Sequence, residues 1–159
     1  MVEPCGIFSL PLKHLRSALA ACTSFQTWVG AKNSAEAEES IYYVAVDGET
    51  DPPFALVDTM NRFSLEHAAG GLSNEFSQKG DLLLVLQSAV DPDHSVSEAA
   101  LTFSNLIGSV LLELTGLAGR PGYLNITGIS LEIPMVRPSE DEKKTVGDFY
   151  QVGFRVSYE

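Results

Sequence analysis

Apolar side chains recur at helical spacing along residues 95–117, SVSEAALTFSNLIGSVLLELTGL. Val96, Phe103, Val110 and Leu117 stand seven residues apart, and Ala99, Ala100, Leu106, Ile107, Leu111 and Leu114 fill the i+3 and i+4 positions between them. That spacing predicts one long amphipathic helix with a broad apolar stripe, about 35 Å long at 1.5 Å per residue. Ser95 followed by Glu98 reads as a capping box, and Gly116, Gly119 and Pro121 read as the stop. So wide a stripe needs a sheet against it.

The sheet is written in the other periodicity. The last segment, Gly147 to Glu159, alternates cleanly: Tyr150, Val152, Phe154, Val156 and Tyr158 point one way, and Gln151, Gly153, Arg155 and Ser157 the other. Leu82 to Val90, introduced by Gly80-Asp81, is apolar almost throughout, which places it at the centre of the sheet with both faces covered. In Tyr123 to Met135, Leu124 and Ile126 alternate. The parity then shifts at Gly128 and continues through Ile129, Leu131, Ile133 and Met135, the mark of a bulge. Pro134 puts that strand at an edge. Ile41 to Val46, Phe54 to Asp58 and Arg62 to Ala68 complete the extended segments.

Upstream, Ser9 and Pro11 open a helix whose inner face is Leu12, Leu15, Leu19 and Ala18 or Cys22, with Lys13, His14 and Arg16 toward water. Phe25, Trp28 and Val29 make a short second helix ending at Gly30, with Trp28 as a core or rim anchor, and Ser34 to Glu39 a capped acidic turn. The sum is a single domain, 1–159, of α+β class: N-terminal helices, a mostly antiparallel sheet covered by one long helix, and a C-terminal β-hairpin.

Composition narrows the chemistry. The net charge is −11 over 159 residues. A mostly acidic surface repels phosphate backbones, so sequence-independent nucleic-acid binding is disfavoured. No run reaches 18 consecutive apolar residues, and the start lacks a basic region and is broken by two prolines. The expectation is neither a membrane span nor a signal peptide. Cys5 and Cys22 are expected as reduced thiols. Asp47, Glu49 and Asp51 superficially suggest a calcium loop, but Pro52 stands where the sharp-turn glycine belongs and no glutamate closes it. Asp91, Asp93 and His94 gather where strand meets helix, although turn formation and capping account for them. His67 sits at the end of a strand, where a structural role is the simpler reading. No phosphate loop, dinucleotide fingerprint, nucleophile elbow or zinc motif is present, so no catalytic, cofactor or metal residue is assigned.

Three stretches carry a family resemblance. The N-terminal LRSALAACTSFQTWVGA, the strand Gly80-Asp-Leu-Leu-Leu-Val-Leu leading through a polar turn into the long helix with Phe103, and the closing GDFYQVGFRVSYE together resemble, in layout, the tail terminator (tail completion) proteins of long-tailed bacteriophages. The resemblance implies a structural virion protein without catalysis or cofactor. It implies a six-fold ring on the tail tube that stops tube growth and offers the docking surface for the filled head. Its implied partners are further copies of itself, the tube protein and the head connector or stopper. DNA passes through the lumen without being held. On that reading the two polar loops are candidates for contacts with neighbours: Asp47, Glu49 and Asp51 in one, and Arg137, Glu140, Asp141, Glu142, Lys143 and Lys144 in the other. Solvated loops without partners are the plain alternative. A head-to-tail joining or stopper protein is the nearest variant. A small intracellular ligand-binding domain or enzyme, with a pocket between the long helix and the sheet using Asp91, His94 or His67, is the alternative of a different class.

Overall fold

A computed structural model describes residues 3–43, 52–67, 76–89, 93, 95–136 and 149–159. Among these residues the chain forms four helices and five strands: α1 (Leu10–Ala21), α2 (Thr23–Val29), α3 (Ser34–Glu38), β1 (Ile41–Tyr43), β2 (Phe54–His67), β3 (Phe76–Ala89), α4 (Val96–Gly116), β4 (Ile126–Val136) and β5 (Phe149–Tyr158). The strands form one sheet in the order β1-β2-β3-β5-β4. Only β1 pairs parallel, with β2; every other pairing is antiparallel. The class is α+β, and the apolar β3 is central, as its composition requires. The strands are not a simple meander: β5 enters between β3 and β4.

The inner face of the sheet follows from the alternation. Val57 pairs with Leu84 and Leu84 with Phe154, while Leu82 pairs with Val156 and Leu86 with Val152. These side chains are buried, as are Tyr150 and Tyr158, and they form one core with the helices. α1 contributes Leu12, Leu15, Ala18 and Leu19, α2 contributes Phe25, and α4 contributes Ala100, Phe103, Ile107, Val110 and Leu114. The helical cover is thus shared between α1, α2 and α4, and α1 packs directly on β1 and β2. It stops short of the β4 edge, where Leu131, paired with Phe154, is 59% exposed.

Several local expectations are met. Ser95 caps α4, its hydroxyl accepting from the Glu98 amide at 3.2 Å. Gly30 ends α2 in the left-handed region at φ 74°, where a side chain would be strained. The register of β4 against β5 shifts between Ile126 and Gly128.

Other expectations are corrected. The segments 54–58 and 62–68 are parts of one 14-residue strand, β2, joined through an irregularity between Thr59 and Phe63. A second shift, between Leu131 and Ile133, turns Ile133 away from the core to lie over Gly153. A Cβ at Gly153 would meet the Ile133 side chain at 2.8 Å, so the glycine makes room for it. Arg16 does not face water: it donates to the carbonyls of Ile41 (3.1 Å) and Glu38 (2.6 Å) and lies over the Tyr43 ring. It ties α1 to the end of α3 and to β1.

Both cysteines are free thiols, Cys5 exposed and Cys22 buried. Cys22 donates to the Ala18 carbonyl at 3.4 Å, and burial, helped by the nearby Glu113 carboxylate, pushes its thiol from 9.0 up to about 12. The folded chain therefore keeps this proton between pH 9 and 12 where the unfolded chain has lost it, so stability declines as pH rises through that window. Native protein at pH 8 is expected to show one reactive thiol, Cys5, with Cys22 at least about 100-fold slower until the chain is unfolded. Equal rates in a thiol-reagent time course would contradict this packing.

Candidate functional site

Two surfaces stand out, at opposite ends of the central strand. The first is a groove of about 620 Å³ between α2, α4 and the adjoining ends of β3 and β5. Its position follows from the sequence. α2 turns off α1 at Cys22 and has no side-chain cap of its own. The Glu113 carboxylate supplies one from α4, accepting from the Ser24 amide at 3.0 Å and its hydroxyl at 3.1 Å. A carboxylate at a helix start is also favoured by the helix dipole. This pins the N-terminal end of α2 to α4 and aligns an aromatic row: Phe25 to Trp28 (5.7 Å between ring centres), Trp28 to Phe103 (6.1 Å) and Phe103 to Tyr150 (6.3 Å).

Trp28, Phe103 and Tyr150 give the groove its aromatic wall, with Ala99 and Leu106 beside them. Hydroxyls and amides from Thr23, Ser24, Thr27, Ser88, Thr102, Asn105 and Ser109 line the rest. No acidic or basic side chain is among the described lining residues. Such a groove suits a neutral, largely apolar occupant with a few hydrogen-bonding groups.

α4 extends this apolar character outward. Leu112 is 76% exposed and Leu101 64%, the two most exposed large apolar side chains among the described residues. At 3.6 residues per turn they fall on nearly the same line of the helix. Between Val96 and Gly116 the only charged residues are Glu98 and Glu113. By length and composition Ser97–Gly116 is apolar enough to cross a membrane, with mean hydropathy 1.3 and 28% of it buried. Counting consecutive apolar residues misses this, because the interruptions are mostly serine, threonine, asparagine and glycine. In this fold the opposite side of the helix is built into the core.

The second surface is an arm. β5 ends against Gly80, where Tyr158 pairs with it, but β2 and β3 continue as a two-stranded ribbon through His67 paired with Phe76. On the ribbon side that continues the core face stand Phe63, Leu65, His67, Phe76 and Gln78. Phe63 is covered by Phe8 of the N-terminal segment, in an edge-to-face contact at 5.1 Å. Gln78 donates to the Ile7 carbonyl at 2.6 Å. Leu65 (41% exposed) and Phe76 (54%) remain open to solvent, next to the exposed Ile7 and Phe8. Gly80 at the root of the arm is required by close approach. A Cβ there would stand 2.7 Å from the Arg62 carbonyl oxygen and 2.9 Å from the Tyr158 hydroxyl.

The outer face of the sheet carries a charge network rather than an opening. Asp81 is buried; its Oδ1 accepts from Ser157 at 2.7 Å. Its Oδ2 lies 3.7 Å from Arg62 Nη1 and 3.8 Å from Arg155 Nη1, and Arg155 also reaches Glu132 at 3.2 Å. One carboxylate thus links β2, β3 and β5, and Arg155 adds β4.

The residues singled out from the sequence are mostly elsewhere. Asp47, Glu49 and Asp51, and Arg137, Glu140, Asp141, Glu142, Lys143 and Lys144, lie outside the described residues, as do Asp91 and His94. Asp93 is exposed. His67 is on the arm, its ring 4.3 Å from that of Phe76, at the far end of β3 from the groove, so it does not join a pocket against the long helix. The arm had a readable signal: Phe76, Gln78 and Gly80 continue the parity of Leu82, Leu84 and Leu86. The groove had little, since its walls come from four separate segments. No protein-family model matches the chain, and no curated protein matches it in sequence.

Proposed function

We propose that this chain is a non-catalytic structural protein of the neck or tail of a long-tailed bacteriophage. On this reading it assembles as a six-fold ring at the end of the tail tube and presents the surface to which the filled head docks. A head-to-tail joining or stopper protein is the nearest variant. α4 shares the cover of the sheet with α1 and α2, and its outer side is left for neighbours. The observation that carries the reading is the pair of unlike apolar surfaces at opposite ends of β3, the arm and the groove. A ring is built from heterologous contacts, in which each subunit offers two different patches. The charge of −11 suits a lumen that passes DNA without holding its phosphates. The loops holding Asp47, Glu49 and Asp51 and Arg137 to Lys144 are assigned to contacts with neighbouring subunits, the tube or the connector.

Electron microscopy of the purified chain, alone and with Glu140, Asp141 and Glu142 all replaced by alanine, tests this. Closed rings with a central channel are expected from the parent chain. The triple variant is expected to melt at the parent temperature yet assemble differently. Rings of unchanged form and yield from the variant would sink the loop assignment, and particles without a channel would sink the ring.

A second reading has one specific observation behind it. The groove volume lies in the range of small-molecule sites. A neutral ligand with an aromatic part is then its occupant, and saturable quenching of Trp28 fluorescence by such a compound would favour it.

A further inference from the structure

We infer that the groove between α2 and α4 receives the β2–β3 arm of a second copy of this chain, so that subunits join head to tail. The inference deepens the assembly part of the reading above and does not depend on where in a virion the assembly sits.

Geometry makes the contact intermolecular. β3 has 14 residues and reaches from Phe76 on the arm to Ala89 at the groove. At roughly 3.3 Å per residue that is about 40 Å of straight strand, so the arm does not reach its own groove. Chemistry makes the two surfaces complementary. The arm offers Phe76, stacked with His67, and Leu65. The groove offers the half-buried Trp28, seated on the buried rings of Phe103 and Tyr150, with hydroxyls beside it. Phe76, Leu65 and Trp28 lose water when they meet, and aromatic anchors in pockets carry much of the energy of protein interfaces.

Charge selects the same pair of surfaces. Two copies of a chain at −11 repel wherever acidic surface meets acidic surface. Among the described arm residues, 62–67 and 76–80, Arg62 and Lys79 outweigh Glu66, so this part of the chain is not acidic. The described lining of the groove carries no charged side chain. An arm without acidic excess and an uncharged groove are where copies approach with least opposition.

The test uses two variants of the full chain. One carries Leu65→Ser with Phe76→Ser and loses the arm. The other carries Ser109→Glu, a charge in the neutral groove at an exposed helical position, and loses the seat. All three substituted side chains lie at the surface, and melting temperatures within a few degrees of the parent establish that both variants fold. Sedimentation velocity is run on each variant alone and on a 1:1 mixture. Each variant alone is expected to be monomeric, its self-association at least about 10-fold weaker than the parent's. The mixture is expected to give a heterodimer and nothing larger, because each variant keeps one intact end. A mixture that stays monomeric overturns the proposal. So does an arm variant that still pairs with itself, which indicates a two-fold contact between α4 helices, and so does a parent chain that is monomeric throughout. Head-to-tail pairing by a chain absent from tails would leave this contact standing and remove only the neck assignment.

Discussion

Replacing Phe103 by alanine is expected to destabilise the fold by about 3–5 kcal/mol. Phe103 is 3% exposed and joins Trp28 on α2 to Tyr150 on β5. Its loss removes apolar burial and leaves a void that α4 cannot close while Glu113 holds it to α2. Against the 5–15 kcal/mol total typical of a domain, this is a large fraction. At about 2–4 °C per kcal/mol for a chain of this size, the melting point falls by roughly 6–20 °C. Urea unfolding followed by Trp28 fluorescence measures it, because the only tryptophan is 6.1 Å from the substituted ring. Leu112→Ala on the opposite side of the same helix, where the side chain is 76% exposed, is expected to change stability by no more than about 0.5 kcal/mol. Similar costs at the two positions would mean that α4 is oriented differently.

The second large effect belongs to the outer face. Arg155→Met is expected to cost about 2 kcal/mol and Arg62→Met less than about 1 kcal/mol. Both guanidinium groups lie at nearly the same distance from Asp81, 3.8 and 3.7 Å, so distance alone does not separate them. Exposure does. The Arg62 side chain is 70% exposed, and water screens its attraction, whereas that of Arg155 is 39% exposed and also holds Glu132 on β4. Removing Arg155 leaves a buried carboxylate with, among the described residues, Ser157 as its hydrogen-bond donor and a solvated arginine as its counterion. Ser157 and Arg62 still compensate Asp81 in part, which keeps the cost below the 3–5 kcal/mol of a fully broken buried pair. Denaturant midpoints of the two variants decide the order. Equal midpoints would show that Asp81 is stabilised chiefly through Ser157.

The contrast between what the sequence disclosed and what it withheld has physical causes. α4 and β5 were legible because each repeats one period over many residues, and Ser95, Gly30 and Gly128 were legible because local chemistry admits few alternatives there. Gly80 misled for a related reason. It reads as the start of a strand, yet it lies inside β3, where the Arg62 carbonyl and the Tyr158 hydroxyl press on the backbone. β2 reads as two pieces in the sequence because the residues between Thr59 and Phe63 interrupt its alternation. Arg16 reads as a solvent-facing residue in the sequence because its backbone-carbonyl partners come from a segment 22 to 25 residues away. The groove is the extreme case: Trp28, Ser88, Phe103 and Tyr150 come from four elements, and no spacing within one element announces their meeting. The interface residues expected from the sequence belong to polar stretches outside the described residues. The surfaces that the fold exposes as apolar, Leu65 and Phe76 on the arm and Leu101 and Leu112 on α4, lie within regular elements.

The central claim is that the chain builds a closed assembly from unlike contacts, and native mass spectrometry of the purified protein over a range of concentrations tests it most directly. The account predicts a ladder of species above the monomer that ends at a discrete six-subunit particle, with no larger species as concentration rises. A monomer at every concentration, or a dimer at which growth stops, would contradict it.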